Sequence, residues 1–217
     1  MTKDRQLQER VLTALEFEPS VDATAIGVTV HDGVVTLRGA VPTYFQKTTA
    51  ERVVAHIFGV RALANDIEVL PAPDARRTDP AIAEAAANTL KWDSAVPAGQ
   101  VQVTLRDGWI TLTGHVDWRY QRDAAEYALR RLYGVKGITN SIAVKPRVHT
   151  ADVKAKIESA LKRSAVLDAE GIHVEAHDGR VVLTGSVRSL SERRQAEWAA
   201  WSTAGVNLVD DRLAITG

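Results

Sequence analysis

Asp32-Gly33-Val34-Val35-Thr36-Leu37-Arg38-Gly39 decides the reading of this chain, because it is written three times. It returns as Asp107-Gly108-Trp109-Ile110-Thr111-Leu112-Thr113-Gly114 and as Asp178-Gly179-Arg180-Val181-Val182-Leu183-Thr184-Gly185. The Asp-Gly pairs stand 75 and then 71 residues apart. Each copy is followed at one fixed distance by Gly59-Val60, Gly134-Val135 or Gly205-Val206. Each is preceded at a fixed offset by an apolar stripe: Leu7, Val11 and Leu15; Ile82, Ala86 and Leu90; Val153, Ile157 and Leu161. Agreement at so many offsets makes the chain a tandem array of three units.

The local pattern of one unit follows from periodicity. Apolar residues at i, i+4 and i+8 predict a helix with one buried stripe. Ile26, Val28 and Val30 then alternate with Gly27, Thr29 and His31, the pattern of a half-buried strand. Asp-Gly supplies the two positive-φ positions of a tight hairpin, and Val35 and Leu37 point inward on the return strand. Ala50, Val53, Val54 and Ile57 mark a second helix, ended by Gly59 as a left-handed cap. Residues 64–70 form a third strand. The fold class is therefore α+β: three tandem α-β-β-α-β two-layer sandwiches, each a three-stranded mixed sheet with two helices on one face. The third strand runs parallel to the second if the two are neighbours. The pattern leaves strand order open.

Breakers place the boundaries. Units are expected at 1–71, 79–146 and 150–217, with linkers at 72–78 (Pro71 and Pro73 at its start) and 147–149 after Pro146.

Composition narrows the function. Lys and Arg number 27 against 27 Asp and Glu in 217 residues, an even balance that argues against a nucleic-acid reader. An apolar share of 45% argues against disorder. With no cysteine, disulfides, thiolate catalysis and Cys-ligated zinc are excluded. The first residues, Met1 to Leu7, lack the apolar core of a secretory signal, so the expectation is a cytoplasmic chain. A periplasmic chain whose leader had been removed would read the same way.

The motif Asp-Gly-x-Val-x-Leu-x-Gly-x-Val resembles the BON domain. Val41, Val116 and Val187 complete it in the three copies, and Asn65, Asn140 and Asp211 fall where that family carries Asn or Asp before its last strand. The resemblance implies a non-enzymatic module linked to osmotic stress and envelope maintenance. It implies a phospholipid surface or a protein as partner, a second copy of the chain included, and no cofactor. It also implies an alternative, a small-ion sensor of the potassium type.

The residues themselves offer little catalytic chemistry. Phosphate-binding loops, nucleophile elbows and His-Glu-x-x-His are absent. Asp32, Asp107 and Asp178 recur, but a hairpin corner accounts for them. Asn65 and Asn140 read as bridges to nearby backbone. His173, Glu175 and His177 share one strand face, where a single flat strand supplies too few ligands to enclose an ion. The expectation is no catalytic residue and no metal.

Aromatic placement carries the site hypothesis. Ala196, Ala199, Ala200 and Thr203 supply the core face of the third unit's second helix. Arg194, Trp198 and Trp201 then fall at i, i+4 and i+7, a stripe on another face. Tyr127 matches Trp198 in the second unit, and Trp118 extends the patch. Trp92 is expected to be partly in the core. The stripe needs a cover, and a neighbouring unit, another protein chain and a bilayer surface all satisfy that need.

Overall fold

The computed structural model describes residues 3–145, 152–164 and 171–216. The first unit runs α1 (Lys3–Glu16), β1 (Ile26–His31), β2 (Val34–Val41), α2 (Tyr44–Ala55) and β3 (Ala62–Val69). The second has α3 (Asp79–Trp92), β4 (Val101–Arg106), β5 (Trp109–Val116) and α4 (Arg119–Leu129), then a third strand in two pieces, β6 (Gly137–Asn140) and β7 (Ala143–Val144). The third has α5 (Val153–Arg163), β8 (Ile172–His177), β9 (Arg180–Val187), α6 (Leu190–Trp201) and β10 (Leu208–Ile215). The linker expected at 147–149 lies outside the described residues.

The middle strand of each unit is central. β1 pairs antiparallel with β2, and β3 pairs parallel with β2 on the other side. The third unit repeats this with β8, β9 and β10. In the second, β6 and β7 both run parallel to β5, and the break falls at Ser141 and Ile142. Each sandwich is thus a mixed sheet under two helices.

Two backbone demands explain the repeated motif. Asp32, Asp107 and Asp178 have φ of 48°, 52° and 47°, and the glycines after them are also left-handed. Two successive positive φ values give the primed hairpin whose twist matches its strands. The motif's last glycine is required for a different reason. A Cβ on Gly39, Gly114 or Gly185 would sit on the carbonyl oxygen of Ala25, Gln100 or Gly171. Close approach between the start of the first strand and the middle of the second excludes every side chain there.

Each unit has its own core. In the first, Leu7, Val11 and Leu15 of α1 meet Ala50 and Val54 of α2 over Val28, Val35, Leu37 and Ile67 of the sheet. A fully buried Leu such as Leu37 contributes about 1.5–3 kcal/mol. The third strand is tied to the second helix by one polar position. Asn65 Nδ2 donates to the Lys47 carbonyl at 3.3 Å, and Asn140 Nδ2 donates to the Arg122 carbonyl at 2.9 Å. In the third unit the acceptor and donor trade sides: Arg193 Nε donates to Asp211 Oδ2 at 2.7 Å.

The units close on one another in a cycle through matching positions. Tyr44, first residue of α2, packs against the core of the second unit. Arg119, first residue of α4, lies 5.1 Å from the Trp201 ring centroid and 3.6 Å from Glu197 in the third. Leu190, first residue of α6, packs against the core of the first. Arg194 of α6 and Glu51 of α2 add an ion pair at 2.9 Å. Arg131 lies over Phe45 at 4.8 Å. Burial against the second unit, with the Glu126 carboxylate near by, raises the Tyr44 phenol above its ordinary value.

Candidate interaction surface

The structure divides the Arg194, Trp198 and Trp201 stripe. Arg194 is held by Glu51 of the first unit. Trp201 is partly buried against its own core, lies under the Arg119 guanidinium, and donates from Nε1 to Glu197 Oε1 at 3.2 Å. Both therefore serve contacts within the chain. Trp198 does not: it is 57% exposed.

Trp198 borders a groove between α5 and α6, with Lys156, Arg163 and Ala204 along the same groove. α5 brings two cations there, Lys156 and Arg163. Arg163 Nη1 is anchored by the Ser159 hydroxyl at 2.6 Å, which holds its charge at the end of the helix.

The gapless register of the repeats gives the equivalents of these positions in the other units. Arg163 corresponds to Trp92 and Phe17, Trp198 to Tyr127 and Arg52, and Ala204 to Tyr133 and Phe58. Five of those six are exposed aromatic residues: Phe17, Phe58, Trp92, Tyr127 and Tyr133. Trp92 is 85% exposed, so the expectation that it joins the core is corrected. It ends α3 two residues beyond the last inward residue Leu90, which turns its ring away from the core. The sixth, Arg52, pairs with Glu18 at 3.4 Å. Periodicity alone missed Phe17, Phe58 and Tyr133; comparing the three copies position by position would have found them.

Trp118 stands at the N-cap of α4, half-exposed, next to the exposed Tyr120. The Gln121 side chain accepts from the backbone N–H groups of Asp117 and Trp118, so the turn is fixed without the indole. The α4 start is electrostatically dense. Burial, then the charge of neighbouring Arg119, lowers the Arg122 guanidinium below its ordinary value.

His173, Glu175 and His177 are all exposed on β8. Among the described residues, the group of His and carboxylates whose ligand atoms lie within 4.8 Å of one another is Asp4, His31 and Asp32. Asp4 is already engaged there by the N–H groups of Asp32 and Gly33.

Three stretches, residues 3–71, 78–146 and 149–217, match the family model of the BON domain. This chain belongs to the BON-domain family. The chain is similar to osmotically inducible protein Y of Escherichia coli K12, at 30% identity over 146 residues, 65% of this chain and 73% of that protein. Among solved structures, CdsD of the type III secretion system of Chlamydia trachomatis matches with 15% identity and a TM-score of 0.27, over 97% of this chain and 92% of its own. The PrgH periplasmic domain matches with 12% identity and a TM-score of 0.23, over 88% and 95%. No helix among the described residues is long and apolar enough to cross a membrane.

Proposed function

We propose that this chain is a non-catalytic, stress-related BON protein that rests on anionic phospholipid surfaces through the outer grooves of its helix pairs. The observation that carries this reading is the recurrence of exposed aromatic side chains at the repeat positions that line the third unit's groove: Phe17 and Phe58, Trp92, Tyr127 and Tyr133, and Trp198. Large rings left in water at matching places are costly unless something covers them. Aromatic rings with a polar edge settle at the headgroup level of a bilayer, and Lys156 and Arg163 along the groove meet lipid phosphate. Similarity to osmotically inducible protein Y supports the stress assignment.

Several weak contacts acting together suit such a surface. One exposed ring contributes only about 1–2 kcal/mol at roughly 25 cal/mol per Å² of apolar area. Three linked grooves add through effective concentration rather than through any one tight site.

The test is co-sedimentation with vesicles of phosphatidylcholine containing an increasing share of phosphatidylglycerol. The chain is expected to bind the anionic vesicles. A variant carrying Trp92→Ala, Tyr127→Ala and Trp198→Ala should lose that binding with its circular dichroism unchanged. Failure of the wild-type chain to bind at any anionic fraction would overturn the proposal and leave a protein partner as the cover of these rings.

A further inference from the structure

The first strand of every unit stands at the edge of its sheet. Among the described residues β1, β4 and β8 each pair only with the strand that follows. In the second unit Arg106 faces Trp109 across the two-residue Asp107-Gly108 turn, which makes theirs a hydrogen-bonded pair. Bonded pairs alternate from there, so Val101, Val103 and Leu105 turn their N–H and C=O groups away from β5. Among the described residues no group bonds that outward backbone.

The three edges are guarded differently. In the first unit Gln8 of α1 donates from Nε2 to the Val28 carbonyl at 2.7 Å and so occupies the middle of the β1 edge. In the third, Lys154 stands at the matching helix position, and β8 carries His173 and Glu175. Charges on an edge strand discourage further pairing. The second unit has Ala83 at the Gln8 position and Val103 at the Val28 position, with uncharged Gln102 and Thr104 on the outer face of the strand. Its inward side chains are also less covered. Val101 and Val103 are half-buried, whereas their equivalents Ile26, Val28, Ile172 and Val174 are buried. Of the three edges, β4 is the one with neither a guard nor a charge between Val101 and Leu105.

We infer that β4 is a self-association edge, which pairs antiparallel with β4 of a second copy of this chain and runs the two sheets into one. The strand is complementary to itself. Pairing centred on Val103 sets Val103 opposite Val103 and Val101 opposite Leu105 on the helix side, and Gln102 opposite Thr104 on the other face. Apolar residues meet apolar ones, polar residues meet polar ones, and no like charges face each other. The outward groups of Val101, Val103 and Leu105 all find partners in that register. The contact is isologous, so it closes at two chains. One strand pair buries little surface, so the dimer is weak and forms as concentration rises. It does not use the exposed rings of Trp92, Tyr127 or Trp198, and stands apart from lipid binding.

The test is sedimentation velocity of the full chain from micromolar to millimolar concentration. The weight-average mass is expected to climb from that of one chain towards that of two. Ala83→Gln gives β4 the guard that Gln8 gives β1, and should hold the mass at one chain. Val103→Pro removes an outward N–H without touching the β4–β5 ladder and should act alike. Both variants should keep the circular dichroism of the wild type. The register has its own readout, because the chain contains no cysteine. Chains carrying Gln102→Cys and chains carrying Thr104→Cys should form disulfide dimers faster in an equimolar mixture than either does alone. The opposed positions bring their Cα atoms to about 4.5 Å, within disulfide reach. A mass that stays at one chain throughout, a dimer that survives both Ala83→Gln and Val103→Pro, or crosslinking as fast in one variant alone as in the mixture would each overturn the inference.

Discussion

The guanidinium of Arg119 lies 5.1 Å from the centroid of the Trp201 ring and joins the second unit to the third. Glu197, one turn before Trp201 on α6, accepts from the indole N–H and stands 3.6 Å from the same guanidinium. Cation, ring and carboxylate form one polar-aromatic contact, and this gives Trp201 a role different from that of Trp198. Replacing Trp201 by Ala should lower the melting temperature and leave vesicle binding intact. A double-mutant cycle of Arg119→Ala with Trp201→Ala should return a coupling of about 0.5–1 kcal/mol. Trp198→Ala should do the reverse, sparing stability and weakening vesicle association. Equal effects of the two Trp substitutions on both measurements would contradict the division of the stripe.

Gly39→Ala places a methyl group on the Ala25 carbonyl oxygen at a φ of 132°. Both the clash and the left-handed backbone penalise the substitution, so a loss of about 3 kcal/mol or more is expected in urea unfolding of the first unit. Gly114→Ala and Gly185→Ala should behave alike in their own units. Gly99→Ala is the control, since a Cβ there meets nothing within 4 Å, and only its φ of 74° resists the change.

Asp79→Ala removes the acceptor from the N–H groups of Asp107 and Gly108. The turn is exposed, so water takes over part of the bonding, and a loss of about 1–2 kcal/mol is expected from chemical denaturation. Hydrogen exchange at Asp107 and Gly108 should quicken. Unchanged exchange at both amides would show that the carboxylate does not hold the turn.

Asp210 accepts from Arg180 and Arg212, each at 2.8 Å. The hydrogen bonds from Arg212 and then Arg180 draw its carboxyl down from 3.8 to about 2. A folded-state pKa below the unfolded one makes a contribution to stability that is complete above the ordinary carboxylate range and is lost as pH falls towards 2. The Tm difference between wild type and Asp210→Asn should therefore be largest above about pH 4.5 and shrink in acid. Because the pair is exposed, raising the salt concentration should reduce the difference at every pH.

Most of each unit's fold was legible in the chain because the decisive forces are local and repeated. Leu7, Val11 and Leu15 declare a helix by spacing alone. Asp32-Gly33 declares a hairpin because few residue pairs accept two positive φ values. Asn65 and Asn140 were readable as backbone bridges. Their exchange for an Arg193–Asp211 pair in the third unit was not, since donor and acceptor lie 18 residues apart on different elements. Of the candidate site, the exposure of Trp198 followed from the alanine core of α6, and Tyr127 from its register with Trp198. Phe17, Phe58 and Tyr133 were missed, because a single aromatic at a helix end has no periodic signature.

By itself, the sequence determined three copies of one α+β unit and the register that relates them, since apolar period, turn chemistry and glycine placement act within a few residues of one another. Only the tertiary structure decided how the units meet. Tyr44, Arg119 and Leu190 occupy one position in the repeat and make equivalent contacts with the next unit, yet one is a phenol, one a cation and one an aliphatic chain. Contacts between units draw on whatever each neighbour offers, a core edge or an indole face, so no common residue type marks them in the chain. The same holds for Arg194, whose partner Glu51 lies 143 residues away. An ion pair closed over that distance follows from the packing of three folded bodies, and the local rules that build each body do not encode it.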